Sequence, residues 1–257
     1  MKKQGVLNKI CRVLLPIFLY ELLTMILTKI LGGVAGGKLL EQSAAMWLVT
    51  LKNLLMFPIF YWIYRKEQID NTIQIPGVKN IFMVILGAVC ISRGINYFLS
   101  LTFLPHYFSG YQTVSDEIYR CSLLSQAAAT VVSAPLLEEL LMRGLVYGRL
   151  KEAIGDLRVA MIISALIFGL FHGNVIQGIY AFIMGLFFVQ VYESCHSLFL
   201  AVLAHMVVNA ASIFAGWLHL ENEVSRFMGV YYLLTAGFML IGMFCWKYIC
   251  YGNEERR

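Results

Sequence analysis

The stretch Ser133-Ala134-Pro135-Leu136-Leu137-Glu138-Glu139-Leu140-Leu141-Met142-Arg143-Gly144 puts two adjacent carboxylates and a guanidinium inside an otherwise apolar run. On insertion scales each such charge costs roughly 2.5 to 3.5 kcal/mol at the centre of a membrane helix, so the charges must be partnered or used. Glu139 and Arg143 are four residues apart, share a helical face and read as a structural ion pair. Glu138 points about 100° around the helix. It has no such partner within its own segment, which suits a general base acting on water. Pro135 removes an amide donor and loosens the helix just before the pair.

The remainder of the chain identifies the solvent around that run. Of 257 residues, 60% are hydrophobic and 14% charged, and the mean hydropathy is +0.73. A soluble globule needs more polar surface than this. The net charge of +5 is spread thinly between apolar stretches and forms no stripe suited to nucleic acid, so no nucleic-acid partner is expected. Apolar segments of membrane-spanning length fall at 10–31, 45–64, 80–102, 122–148, 157–172, 174–192, 197–217 and 227–250. The expected fold is all-α: a polytopic membrane protein of about eight transmembrane helices, one domain over residues 1–257. The fifth segment is short and runs through Gly173 and Asn174 into the sixth, which predicts a kink or tight turn at membrane depth.

Basic residues in the connections set the orientation. One face collects Lys2, Lys3, Lys9, Arg65, Lys66, Lys79, Arg149, Lys151, Arg158, Lys247, Arg256 and Arg257, the other only Lys38, Arg120 and Arg226. Both termini are therefore expected in the cytoplasm, in a multi-pass protein of the cell membrane whose first helix is uncleaved. The six cysteines show no metal-type spacing and read as small buried hydrophobes. Trp47, Trp62, Trp217 and Trp246 lie near segment ends and read as interfacial anchors.

Two further pairs share helical faces: Phe168 with His172, and His205 with Asn209. Counting about 1.5 Å per residue from the expected cytoplasmic ends, Glu138 lies roughly 15 Å deep, His172 roughly 22 Å, His205 roughly 12 Å and Asn209 roughly 18 Å. One pocket near mid-membrane can gather all four.

EExxxR at Glu138-Glu139-Arg143, FxxxH at Phe168-His172 and HxxxN at His205-Asn209, in this order within successive apolar helices, resemble the three motifs of the CPBP family, the CAAX proteases and bacteriocin-processing enzymes also called the Abi family. The resemblance covers a core of residues 132–210. It implies an eight-helix, glutamate-dependent intramembrane endopeptidase without an acyl-enzyme. Carried over, Glu138 and His172 activate water, and His205 and Asn209 stabilise the oxyanion. Glu139, Arg143 and Phe168 support the site. No cofactor or metal is expected; the partners are membrane lipid and a peptide or protein substrate, lipidated or a leader peptide.

Other readings compete. Two carboxylates and two histidines can ligate zinc, giving a zinc-dependent intramembrane protease, although HExxH is missing. A serine protease lacks a GxSxG site, and a transporter lacks a repeat signal. A non-catalytic bacteriocin-immunity or regulatory protein on the same scaffold is a further alternative. Glu21, Arg93 and Asn96 are expected to pair across the bundle. Glu193 and His196 near a helix end, with His106 and His219 in connections, are expected to be solvated.

Overall fold

Apolar runs that cannot hydrogen-bond to lipid must satisfy their backbone internally, and the described part of this chain does so with helices. The computed structural model describes residues 5–34, 42–67, 76–102, 118–218 and 228–251. Lys2, Lys3, Lys38, His106, His219, Arg226, Arg256 and Arg257 lie outside them. Among the described residues eight helices follow in order: α1 (Val6–Val34), α2 (Gln42–Glu67), α3 (Val78–Ser100), α4 (123–154), α5 (Leu157–Leu170), α6 (Val175–Cys195), α7 (Leu198–Trp217) and α8 (Met228–Tyr251). Helices α1, α2, α3, α6, α7 and α8 are long and apolar enough to cross a membrane. Large apolar side chains such as Phe18, Leu54, Leu233 and Phe244 face outward, as lipid requires.

Three connections are short and built alike. Gly155 (φ 79°), Gly173 (φ 66°) and His196 (φ 47°) each take a left-handed conformation that stops the helix. The next residue in each case caps the following helix: Asp156 accepts from the Val159 amide, Asn174 from Gln177 and Ser197 from Leu200. Turns this short make α4 to α7 run antiparallel to their chain neighbours. The Gly173-Asn174 turn is the one expected from the sequence. At α5–α6, a Cβ on Gly169 would sit 2.7 Å from the Gly178 carbonyl oxygen, so only glycine permits that approach.

Helix α4 is not a uniform α-helix. Its segments Ala127–Ser133 and Leu140–Tyr147 are π-helical, and the α-helical interval Ala134–Glu139 between them ends on the two glutamates. Pro135 explains part of this. The Ala134 amide bonds to Ala129, five residues back, and the next amide in that register would be that of Pro135, which has no N–H. The Thr130 carbonyl is thus left without a backbone donor at the four- or five-residue spacing. Asn209 of α7 supplies one, with Nδ2 at 2.7 Å.

One end of the bundle is tied by charge. Arg149 pairs with Glu67 and donates to the Arg12 carbonyl, Arg12 pairs with Glu152 at 2.8 Å, and Lys9 donates to the Ala153 carbonyl at 2.9 Å. Glu193 belongs here rather than in solvent: it accepts from Lys151 at 2.8 Å and from the Tyr147 hydroxyl at 2.9 Å, joining α6 to α4. His196 is half-buried at the link between α6 and α7. Trp47, Trp62 and Trp217 are exposed near helix ends, whereas Trp246 turns inward onto Phe187, 5.5 Å between ring centres. Cys90, Cys121, Cys195 and Cys245 are buried thiols, Cys250 is half-buried and Cys11 is exposed.

Candidate active site

Arg143 is fully buried, so every part of its guanidinium needs a partner. Nη1 donates to Glu139 Oε1 at 3.0 Å, and Nε lies 3.0 Å from Glu139 Oε2 as an ion-pair contact too poorly aligned for a hydrogen bond. Nη2 donates to the Gly185 carbonyl of α6 at 3.1 Å. The flat cation also lies 4.5 Å from the Phe168 ring centre and 5.4 Å from that of Phe188. The pair expected from the i,i+4 spacing therefore forms, and two aromatic rings from α5 and α6 seal it.

Glu139 has a second task that the spacing does not reveal. Its Oε1 also lies 2.8 Å from Nδ1 of His205 on α7. A carboxylate paired with arginine can only accept, so Nδ1 carries the proton. The ring is stacked on Phe188 (4.8 Å, 21°) and meets the edge of Phe168 (5.8 Å, 86°), which fixes its plane. Nε2 then faces Glu138, whose Oε2 is 4.0 Å away. For Nε2 also to donate a hydrogen bond, the ring must be the imidazolium.

Glu138 differs from its neighbour in every respect that matters chemically. Its side chain is 18% exposed while that of Glu139 is sealed, and among the described residues it makes no hydrogen bond. His172, at the turn after α5, holds Nδ1 2.8 Å from the Phe168 carbonyl. A carbonyl only accepts, so Nδ1 is the protonated nitrogen and Nε2 of the neutral ring is left as an acceptor. The Phe168 ring, 4.9 Å edge-on from His172, touches His172, His205 and Arg143 together. Asn209 lies one turn beyond His205, with one amide hydrogen committed to Thr130 and the other available.

Residues 120–211 match the type II CAAX prenyl endopeptidase Rce1-like family. The chain carries a CAAX protease-like domain. That domain makes it an intramembrane peptidase, a multi-pass integral membrane protein surrounded by lipid and acting on a peptide chain. The matched residues are roughly a third of the chain and contain every motif position from Glu138 to Asn209. No curated protein and no solved structure gives a significant match.

Outside the motifs, the CAAX protease-like domain depends on polar residues that the sequence did not single out. Thr130 Oγ1 donates to the Gln126 carbonyl at 2.8 Å, and Ser133 Oγ donates to that of Ala129 at 3.0 Å. Asn53 of α2 donates to Ser133 at 3.2 Å, and Trp217 donates to Gln126 Oε1 at 3.1 Å. Serine and threonine back-bonding of this kind bends helices. The spacing of Thr130, Ser133 and Pro135 is the signal that could have found them. Arg93 donates to Ser212 of α7 at 2.8 Å and lies 3.5 Å from Ser92, which is 2.8 Å from the Tyr180 hydroxyl. These contacts tie α3 to α6 and α7. The expected pairing of Glu21 with Arg93 and Asn96 is not among these contacts. Among the described residues no three His, Cys, Asp or Glu side chains are grouped to hold a metal ion.

Proposed function

We propose that the protein is a glutamate-type intramembrane endopeptidase that hydrolyses a peptide bond with a water activated by Glu138 and His172. The observation that carries this reading is the unequal treatment of two adjacent glutamates. Glu139 is saturated by Arg143 and His205, while Glu138 is left partly exposed and unbonded beside the His205 ring. Such a carboxylate can take a proton from water, and His172 Nε2 can orient the same water by accepting its other hydrogen. The water oxygen bonds to the peptide carbonyl carbon, and Glu138 holds the proton. His205 Nε2–H and the second Asn209 amide hydrogen stabilise the oxyanion. Glu138 returns the proton to the leaving nitrogen as the C–N bond breaks.

The substrate is a membrane-associated peptide or protein. The family description makes a prenylated chain one candidate class, and a leader peptide is the other. In this reading both termini and the cut lie on the cytoplasmic side, which the basic-residue pattern supports.

Membranes from cells carrying the wild-type protein, Glu138→Gln or His172→Ala, compared by terminal proteomics, test the reading. Precursors should accumulate with either variant. Identical proteomes, with any associated phenotype retained by the variants, would favour a non-catalytic immunity or regulatory role.

A further inference from the structure

Lys52 lies well inside α2, ten residues from its first residue, with no other charged residue in the helix before Arg65. An ammonium at such a position faces a polar partner or a wet cavity, and an anion is the partner that stabilises it most. Among the described residues Lys52 makes no hydrogen bond and no ion pair. Lys52 is half-buried, and its Nζ stands 5.8 Å from the centre of the Tyr20 ring of α1. The next residue, Asn53, is committed to Ser133, so α2 is fixed against α4 while Lys52 is not.

The surroundings of Lys52 belong to the active site. Tyr20 packs 4.9 Å from Phe171, the residue before His172, and Lys52 stands over the same Tyr20 ring. Lys52 and Tyr20 therefore adjoin the Phe171-His172 turn on the α1 and α2 side, one step from the catalytic histidine. The saturated Glu139–Arg143 pair is closed off on the other side by Phe168 and Phe188. Glu138 does not neutralise Lys52 by contact, and Glu21 is exposed. A peptide entering this region brings a neutral backbone. The anions it can offer are its C-terminal carboxylate or an Asp or Glu side chain.

We propose that Lys52 is a specificity-determining residue that receives a carboxylate of the substrate and so sets which peptide bond lies over Glu138. This rests on the peptidase reading above. A charge-assisted hydrogen bond formed by an otherwise unpartnered ammonium is strong enough to select substrates by at least roughly tenfold.

The test uses the full-length protein in liposomes and a randomised peptide library made in four forms. C-termini are free acids or amides, and variable positions either include Asp and Glu or replace them with Asn and Gln. Products are sequenced by mass spectrometry. Wild type should prefer carboxylate-bearing members by roughly tenfold or more. The acid-against-amide and Asp/Glu-against-Asn/Gln arms identify which carboxylate is read. Lys52→Met should erase the preference, and Lys52→Arg should restore most of it, which guards against a misfolded variant. Equal cleavage of all four forms by wild type, or a preference retained by Lys52→Met, overturns the proposal and leaves the peptidase standing. So does a shift in the acidic limb of the pH profile with the preference intact, since Lys52 would then act only through Glu138. Cleavage of none of the forms sinks the peptidase reading and this proposal with it.

Discussion

The two π-helical segments of α4 are held in opposite ways. Ala127–Ser133 is braced by polar side chains: Asn53, Thr130, Ser133 and Asn209 each place a hydrogen bond on it or within it. Leu140–Tyr147 is buried throughout, and its one charged side chain is the sealed Arg143. A π turn offsets the backbone register and re-aims the side chains that follow. The first segment needs repair because Pro135 cannot donate, whereas the second is held by packing and an ion pair. Between them the chain carries both glutamates to the His205 ring of α7, Glu139 in hydrogen-bond contact with Nδ1 at 2.8 Å and Glu138 4.0 Å from Nε2.

Removing the ion pair should have the largest effect. Arg143→Met leaves Glu139 charged and buried, and loss of one partner of such a pair costs about 3 to 5 kcal/mol. Unfolding in detergent micelles should show this together with loss of activity; a midpoint near wild type would mean that packing alone holds the second segment. Glu138→Gln lies between the segments and should separate chemistry from stability. Hydrolysis should fall by about 10²- to 10⁴-fold, the usual range for a lost general base, while the unfolding midpoint stays or rises. Equal loss of both would make Glu138 structural.

Asn209→Ala should cost about 1 kcal/mol, the low end of the penalty for an unsatisfied carbonyl, because Thr130 and Asn209 are only half-buried. Pro135→Ala supplies an amide that can serve Thr130, so the Asn209→Ala penalty should shrink in that background. A double-mutant cycle measures the difference, and strict additivity would show that the proline does not create the need for Asn209. The smallest effect belongs to Asn53→Ala. Loss of its bond to Ser133 should cost about 0.6 kcal/mol, the typical value for interhelical hydrogen bonds in membranes. A loss as large as that from Asn209→Ala would make α2 a principal support of the first segment.

Much of the fold was legible because it rests on local rules. Eight apolar segments, the Glu139–Arg143 spacing, the Phe168–His172 contact and the Gly173-Asn174 turn all involve residues close in sequence. Glu193 was misread for the complementary reason. Its position near a helix end suggests solvent, but its partners, Tyr147 and Lys151, lie over forty residues away on α4. Lys52 was not singled out from the sequence, although the rule that selects Glu138, an ionisable residue inside an apolar helix, applies to it as well. Its meaning depends on Tyr20 and Glu138, and no spacing brings those to it.

The sequence alone therefore determined the solvent, the helices and the residue types that gather in α4, α5 and α7, because hydropathy and short-range geometry are written along the chain. It could not say how two neighbouring glutamates differ beyond one arginine. That was decided by tertiary structure. The π segments set the direction of each carboxylate, α7 brings His205 to Glu139, and Phe168 and Phe188 close around that pair. Hydrogen bonds between distant helices depend on register and rotation, which local sequence does not encode, and they leave Glu138 as the carboxylate without a bond.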